Sequence, residues 1–525
     1  MTSKILALVF FSSLTPIAFC QPDINWEFSL GGTNTDWASE IIASSSGSIF
    51  LLGRSSSADL DFENTLGGAD AIITKMDDLG NIEWLKHYGG SGDDSVSDIQ
   101  ETPDGGFVVV GRSESNDGDL TSNQGNLDYW IFKVDANGLV EWSVSYGGSN
   151  DDSARAVCVT SDQGFIIVGD SQSDDGDVSG NYGQDDVWII KLNAAGDLVW
   201  EMHYGGSGGE DAADVIQIAN GEYIVLSGTE SDDFDVSENY SIQANEDEDD
   251  DGEDCWVLRL DATGQIIWEQ NFGGSGEESP EELLKIDDQK YLICGRTSSQ
   301  DIDITDHNGS NDGWVMQIND QAELAWSNSL GGSGSDWING ITHDPAGGYF
   351  FSGFSKSDDG EVANNYGGHD AWLGKLSVEG ELLWEKNFGG THDDRARSID
   401  ILESGHILFT GTSISSDIDV ESNSGGYDMW VVCLDPLTLD NISSQSATIE
   451  MVVAPNPAQD NLKISIYGLN APMQVQILNG NGQFVNQFLL TGISKTLDIS
   501  EYESGTYFIQ VTSGRSTTTR AFVVL

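Results

Sequence analysis

The 525-residue chain carries 88 acidic and 21 basic side chains, a formal net charge of −67. Phosphate and anionic membrane surfaces repel such a chain, so nucleic acid and charged membranes are excluded as partners, while divalent cations or basic partners are favoured. Solvation in a salty habitat would account for the acidity as well. The length exceeds that of one ordinary domain and is enough to bury a large core.

The first twenty residues read as an export signal. Lys4 supplies the positive charge, and Ile5 to Phe19 is apolar but short for a membrane span. Ala18-Phe19-Cys20 places cleavage before Gln21, and the bulky Phe19 argues against lipidation of Cys20. No other stretch is long and apolar enough for a membrane span. The remaining cysteines, Cys158, Cys255, Cys294 and Cys433, are far apart and sit in apolar strand patterns. They predict buried free thiols and no disulfide framework.

From residue 21 to 440 the chain is a repeat. Tryptophans fall at 26, 84, 142, 200, 268, 326 and 384, at intervals of 58 except for one of 68, and each precedes a Gly-Gly pair by five residues. The long interval holds a ten-residue insertion around Asn245–Asp254. One copy predicts four short strands: a, Ser95 to Thr102; b, Phe107 to Arg112; c, Tyr129 to Asp135; d, Leu139 to Tyr146. Gly105 and Gly138 mark the tight turns between a and b and between c and d. Strand b is continuously apolar, as expected of a strand covered on both faces. A four-stranded meander repeated seven times predicts an all-β, seven-bladed β-propeller. The seventh copy lacks its own strand d, whereas a spare one, Ile24 to Leu30 with Trp26, precedes the first strand a. Ring closure by the N-terminal strand, completing the blade of residues 394–435, accounts for both ends without leaving unpaired edges.

In such a ring strand a lies nearest the axis, so the d-to-a connections and the b–c loops share a face. Four acidic positions recur there in all seven copies. The first opens strand a: Asp36, Asp94, Asp152, Glu210, Glu278, Asp336 and Asp394. The second and third form an acid-x-acid pair in the b–c loop: Asp59 and Asp61, Asp117 and Asp119, Asp175 and Asp177, Asp233 and Asp235, Asp301 and Asp303, Asp359 and Glu361, Asp417 and Asp419. The fourth opens strand c: Asp70, Asp128, Asp186, Asp254, Asp312, Asp370 and Asp428. Two readings of the pairs compete. Hard cations need six to eight oxygens and suit Asp-x-Asp loops, which makes the pairs candidate Ca2+ ligands. Short acidic side chains also accept backbone N–H bonds in turns, and that reading is preferred for the fourth position.

The insertion contains Asp247-x-Asp249-x-Asp251-Gly252, the first half of an EF-hand loop, but Leu258 stands where the motif needs Glu. It reads as a solvated acidic loop. The strand-c tryptophans (130, 188, 256, 314, 372, 430) are expected to pack between blades. Tyr182, Tyr240 and Tyr366 lie in polar loops and are the better candidates for ligand contact. Histidines such as His87, His203, His307 and His369 are scattered, and the Gly-Gly-Ser-Gly turns do not join a strand to a helix, so neither nominates a catalytic or phosphate site. Carboxylate pairs are too abundant to single out a glycosidase pair.

Residues 441–448 are Ser-rich and read as a linker. A second all-β unit follows from 449 to 525, with Val452-Val453-Ala454-Pro455-Asn456-Pro457, Leu497-Asp498-Ile499-Ser500 and Gly505-Thr506-Tyr507-Phe508 in that order. This segment resembles the C-terminal sorting domain of the type IX secretion system of Bacteroidetes. The resemblance implies a small Ig-like β-sandwich, recognition by the secretion machinery, and delivery to the cell surface or beyond. The repeat is similar to propeller-repeat segments of such exported proteins, through Gly89-Gly90-Ser91-Gly92-Asp93-Asp94 and Asp104-Gly105-Gly106-Phe107; that likeness implies fold only. The expected function is a secreted or cell-surface binding or adhesion module for a glycan or protein, calcium-dependent through its acidic face. A secreted polysaccharide hydrolase or lyase with a site at the channel mouth is the alternative, disfavoured because no catalytic constellation is apparent.

Overall fold

A computed structural model describes residues 21–63, 65–241, 252–304 and 307–436, and in the C-terminal segment 450–454, 461–467, 473–479, 483–490, 494–500, 502, 504–513 and 516–524. The signal segment, the linker, the insertion residues Asp247, Asp249 and Asp251, and Pro455-Asn456-Pro457 lie outside the described residues. Gln21–Pro436 forms one compact unit and the C-terminal segment another.

The first unit contains seven four-stranded antiparallel sheets. The first blade comprises β2 (Asp36–Ala43), β3 (Ile49–Ser55), β4 (Asp70–Met76) and β5 (Ile82–Tyr88), preceded by β1 (Ile24–Leu30). The second comprises β6 (Asp94–Glu101), β7 (Phe107–Ser113), β8 (Asp128–Val134) and β9 (Val140–Tyr146). The last is built from Asp394–Ile401, Ile407–Ser413, Asp428–Leu434 and β1, in which Trp26 pairs with Cys433 and Ser29 with Trp430. The ring closes as expected. The N–H of each blade's first residue donates to a carbonyl of the preceding blade, as Asp94 does to Ala69 and Asp152 to Leu127, both at 2.7 Å. Asp36 makes the same bond to Tyr427 of the last blade, also at 2.7 Å.

Strands b and c are buried almost throughout, and the six strand-c tryptophans are among the largest fully buried side chains. Burial of this aromatic area is the main stabilising contribution between blades. The strand-d tryptophans explain the 58-residue period in another way. Trp26, Trp84, Trp142, Trp200 and Trp326 each lean on a glycine of the next blade's c–d turn, where a Cβ on Gly138 would lie 2.7 Å from Trp84, and Trp268 donates to the Asp320 carbonyl of that turn at 3.3 Å. Gly138 also has φ +69°, so both the space and the backbone require glycine there. The four cysteines are free thiols, three buried and Cys158 half-buried.

The seven a strands line a central channel of about 810 Å³. Every a strand carries a bulge after its third residue, for instance between Val96 and Asp98. At four junctions the N–H of the strand's sixth residue reaches a channel carboxylate of the neighbouring blade, whereas that of Ile41 donates to Ser398 Oγ at 3.2 Å.

The C-terminal unit is a two-sheet sandwich. Its three-stranded sheet uses Glu450–Ala454, Asn461–Tyr467 and Ser494–Asp498, and its four-stranded sheet uses Met473–Asn479, Phe484–Leu490, Gly505–Ser513 and Ser516–Val524. Leu462, Ile464 and Leu497 of one sheet pack with Val475, Ile477, Ile509 and Phe522 of the other in a single core. Alternating residues of each strand supply that core, as a sandwich requires.

Candidate functional site

All four acidic positions fall on one face of the ring, and the structure shows what each carboxylate holds. The d-to-a turn of the first blade presents three successive N–H groups, from Gly89, Gly90 and Ser91. Each donates to a different carboxylate: Gly89 to Asp119 at 3.1 Å, Gly90 to Asp94 at 2.7 Å, Ser91 to Asp117 at 2.7 Å. Successive N–H groups of this kind form an anion-binding nest, and here the protein fills it with its own side chains. The bond from the second glycine to the first acidic position occurs in all seven copies at 2.7–2.8 Å. The bond to the first member of the acid-x-acid pair also occurs in all seven, at 2.7–2.9 Å. Asp61, Asp177, Asp303, Glu361 and Asp419 receive the first glycine as Asp119 does, at 3.1–3.4 Å.

The first position is tied further to hydroxyls at the end of strand b. Asp94 accepts from Ser113 and from Ser115, the latter at 2.9 Å. Where this acid is Glu, the alcohol is Thr: Thr229 donates to Glu210 at 2.8 Å and Thr297 to Glu278 at 2.6 Å. In the other five copies Asp meets Ser. The paired serines after strand b were visible in the sequence but carried no assignment there.

The fourth position caps its own loop. Asp128 accepts the Gln124 N–H at 2.5 Å, and the corresponding bonds in the other copies are 2.6–2.8 Å, or 2.5 Å for Asp370. The preferred capping reading therefore describes these residues. In all seven copies the other oxygen of this carboxylate is buried with no hydrogen-bond partner among the described residues. It faces the first-position acid of the next blade across a glycine: a Cβ on Gly205 would meet Glu210 Oε2 at 2.2 Å and Asp186 Oδ1 at 2.9 Å. Burial, with the neighbouring carboxylate adding to it, pushes Asp128 and Asp428 up to about 6 and Asp186, Asp254 and Asp370 up to about 7.

The candidate calcium ligands Asp59, Asp61, Asp117, Asp119, Asp175, Asp177, Asp233, Asp235, Asp301, Asp303, Asp359, Glu361, Asp417 and Asp419 thus sit at the b–c loop tips, facing the d-to-a turns. Among the described residues no group of three or more His, Cys, Asp or Glu side chains is set to hold a metal ion.

The sequence reading missed two features. The fifth residue of strand a is acidic in four blades, and these acids line the channel. Glu40 accepts the Ile99 N–H at 3.1 Å, Asp98 that of Val157 at 2.6 Å, Asp214 that of Leu283 at 2.9 Å and Glu282 that of Ile341 at 2.8 Å. Each latches one blade to the next. Burial and then mutual repulsion hold Glu40 and Glu282 well above the usual carboxylate range, and Asp214, mainly through burial, rises to about 7.

The second feature is the middle residue of the acid-x-acid pair. In every copy it has positive φ: Gly118, Gly176 and Gly360 near +69°, but also Leu60 (+57°), Phe234 (+55°), Ile302 (+59°) and Ile418 (+60°). The four apolar ones are 56–66% exposed. The glycines at this position in three copies were the available signal.

The class defined by these observations is an all-β propeller, closed through its N-terminal strand and followed by a β-sandwich. Residues 452–525 match the secretion system C-terminal sorting domain (Por_Secre_tail). The protein is therefore a type IX cargo, recognised by that machinery and delivered to the cell surface or released. No helix among the described residues is long and apolar enough to cross a membrane. The chain is 21% identical over 211 residues to the regulatory protein FlaEY of Caulobacter vibrioides, a match that takes in 36% of this chain and 22% of FlaEY. It is similar in fold to PorZ, a surface component of the type IX system of Porphyromonas gingivalis (13% identity, TM-score 0.39, 94% of this chain and 60% of that one). It is also similar to the Pan2 WD40 domain of Neurospora crassa (10% identity, TM-score 0.42, 79% and 97%).

Proposed function

We propose that the exported propeller is a cell-surface binding module that engages extracellular ligands through its b–c loop face. One observation carries this reading: the loop frame is the same in every blade, while the residue displayed at the tip between the paired acids differs and is apolar and exposed in four of them. A fixed scaffold with variable tips is how ring folds present binding loops. The frame needs no calcium for its order, because backbone N–H groups already engage the carboxylates. Cells displaying the chain should adhere better than cells lacking it to surfaces coated with polysaccharide or matrix protein. Equal adhesion on every coating would remove the reading.

Catalysis in the channel is the second reading, favoured by the burial that lifts the Asp214 carboxyl to about 7, since such a carboxyl suits a general acid. Against it, each of the four acids at this level gives an oxygen to the N–H of the next blade. Release of reducing ends from a polysaccharide by the chain, abolished by Asp214→Asn, would favour catalysis over binding alone.

A further inference from the structure

The tips of the b–c loops pair across blade junctions. Tyr182 of the third blade stacks on Phe234 of the fourth, with ring centroids 4.9 Å apart and planes 17° from parallel. The His203 ring lies 5.0 Å from Tyr182 on the other side and touches Gly180, leaving no room there for a Cβ. Tyr182 remains 43% exposed and Phe234 66%. Both other loop tyrosines occupy the same place: Tyr240 lies beside Asp303, which follows Ile302, and Tyr366 beside Asp419, which follows Ile418. The stacked pair is thus seen at the Tyr182–Phe234 junction, and Tyr240 and Tyr366 hold the corresponding position in their own loops, each with its N–H on the fourth-position acid.

Folding does not require Phe234. A bulky residue at positive φ is strained, and the other copies show that glycine fits the same turn. The clamp beneath forms under either kind of tip. The bond from the third acid's N–H to the first glycine's carbonyl is 2.9, 2.9 and 3.0 Å under glycine tips (Asp119, Asp177, Glu361). It is 3.1, 3.2 and 3.1 Å under apolar tips (Asp235, Asp303, Asp419). An apolar residue at positive φ, where glycine also fits, that stays exposed is placed to touch a ligand.

We propose that Tyr182 and Phe234, with His203 behind them, form a stacking platform for an uncharged glycan. This rests on the binding-module reading and names its ligand class. The exposed aromatic faces suit the C–H face of a sugar ring. Exposed Asp232, two residues before Phe234, offers a carboxylate acceptor to sugar hydroxyls, and hydrogen bonds to an ionised acceptor are strong. The net charge of −67 turns away uronate and sulfate polymers. Exposed Tyr366, Ile302 and Ile418 at other loops of the same face offer a long polymer further apolar contacts.

The test is native affinity electrophoresis of the full chain in gels cast with laminarin, mannan, pectate or dextran sulfate. Wild type should be retarded in a neutral gel and not in the two anionic ones. Phe234→Gly and Tyr182→Ala should each weaken retardation about 3- to 10-fold, the range for one aromatic stacking contact. Phe234→Gly should leave the melting temperature unchanged or raised. No retardation in either neutral gel, retardation confined to anionic gels, or equal retardation of the variants overturns the platform. A clear fall in melting temperature for Phe234→Gly also overturns it, because Phe234 would then serve the fold. Adhesion that persists while the variants behave as wild type removes the platform and leaves the module standing; loss of both removes the two together.

Discussion

Asp186 offers the sharpest test of how the acidic face is held. Its carboxylate is fully buried; one oxygen accepts the Tyr182 N–H at 2.8 Å and the other faces Glu210 without a donor between them. Burial, with Glu210 adding to it, raises its pKa from 3.8 to about 7. The folded state therefore holds this proton more tightly than the unfolded state does. Stability gained from it is fully present below about pH 3.8 and is lost progressively as pH rises to about 7. A shift of roughly 3 units at about 1.4 kcal/mol each sets an upper bound near 4 kcal/mol, and local relaxation brings the expected value to about 2. Asp186→Asn keeps an acceptor for Tyr182 and turns an amide donor toward Glu210. The variant should be more stable than wild type at pH 8 by about 2–4 kcal/mol, with the gap shrinking toward pH 5. An unfolding entropy near 2.1 cal/mol/K per residue over roughly 400 residues makes that a rise of about 2–5 °C in melting temperature. Thermal melts of the full chain followed by tryptophan fluorescence at the two pH values would measure it. A variant less stable than wild type at pH 8, or a gap independent of pH, refutes the reasoning.

Three further outcomes follow from the same geometry. Glu210→Asp should cost about 1–2 kcal/mol by pulling the acid away from Thr229, and adding Thr229→Ser should recover part of it, because Asp with Ser makes both the glycine and the hydroxyl bond in the other five copies; a double-mutant cycle on melting temperatures reads the coupling. Removing residues 21–30 strips the fourth strand from the last blade and breaks the Trp430–Glu27 bond of 2.8 Å. The exposed edge should then drive association, visible as a shift to larger species in size-exclusion chromatography. Chelator should leave the melting temperature of the propeller within about 1 °C of its value in calcium, since the nest N–H groups compensate the loop carboxylates; a rise of several degrees on adding calcium would show that cations hold the loops.

Much of the fold could be read from the sequence because its signals are one-dimensional. The tryptophan spacing reflects strand d leaning on the next c–d turn, and the missing last strand d was matched by Trp26 at the other end. Strand limits shifted by one residue at Asp94 and Asp128, whose backbones join the ladder while their side chains cap loops. The site was harder. Asp117-x-Asp119 has the spacing of a calcium loop, but its partners are N–H groups 26 and 30 residues upstream. Spacing alone does not tell which turn a loop will meet. Nor does it give the sign of φ at Phe234, which emerges only when three glycines at the same position are set beside it.

The frame and its tips are linked by a physical requirement. A non-glycine residue at positive φ persists only where its surroundings over-determine the backbone. Here the acid before the tip is fixed to the d-to-a turn by its carboxylate, with bonds of 2.8 Å from Ser207 to Asp233 and from Ser275 to Asp301, and the acid after it by its backbone N–H, from Asp235 to Gly205 and from Asp303 to Gly273. The clamp bond is present at 2.9–3.0 Å under glycine tips and at 3.1–3.2 Å under Phe234, Ile302 and Ile418, so the frame persists under either kind of tip. That division lets each blade change its displayed residue without disturbing the next. The 28 carboxylates are in this sense the condition under which Leu60, Phe234, Ile302 and Ile418 can stand exposed on an otherwise acidic face.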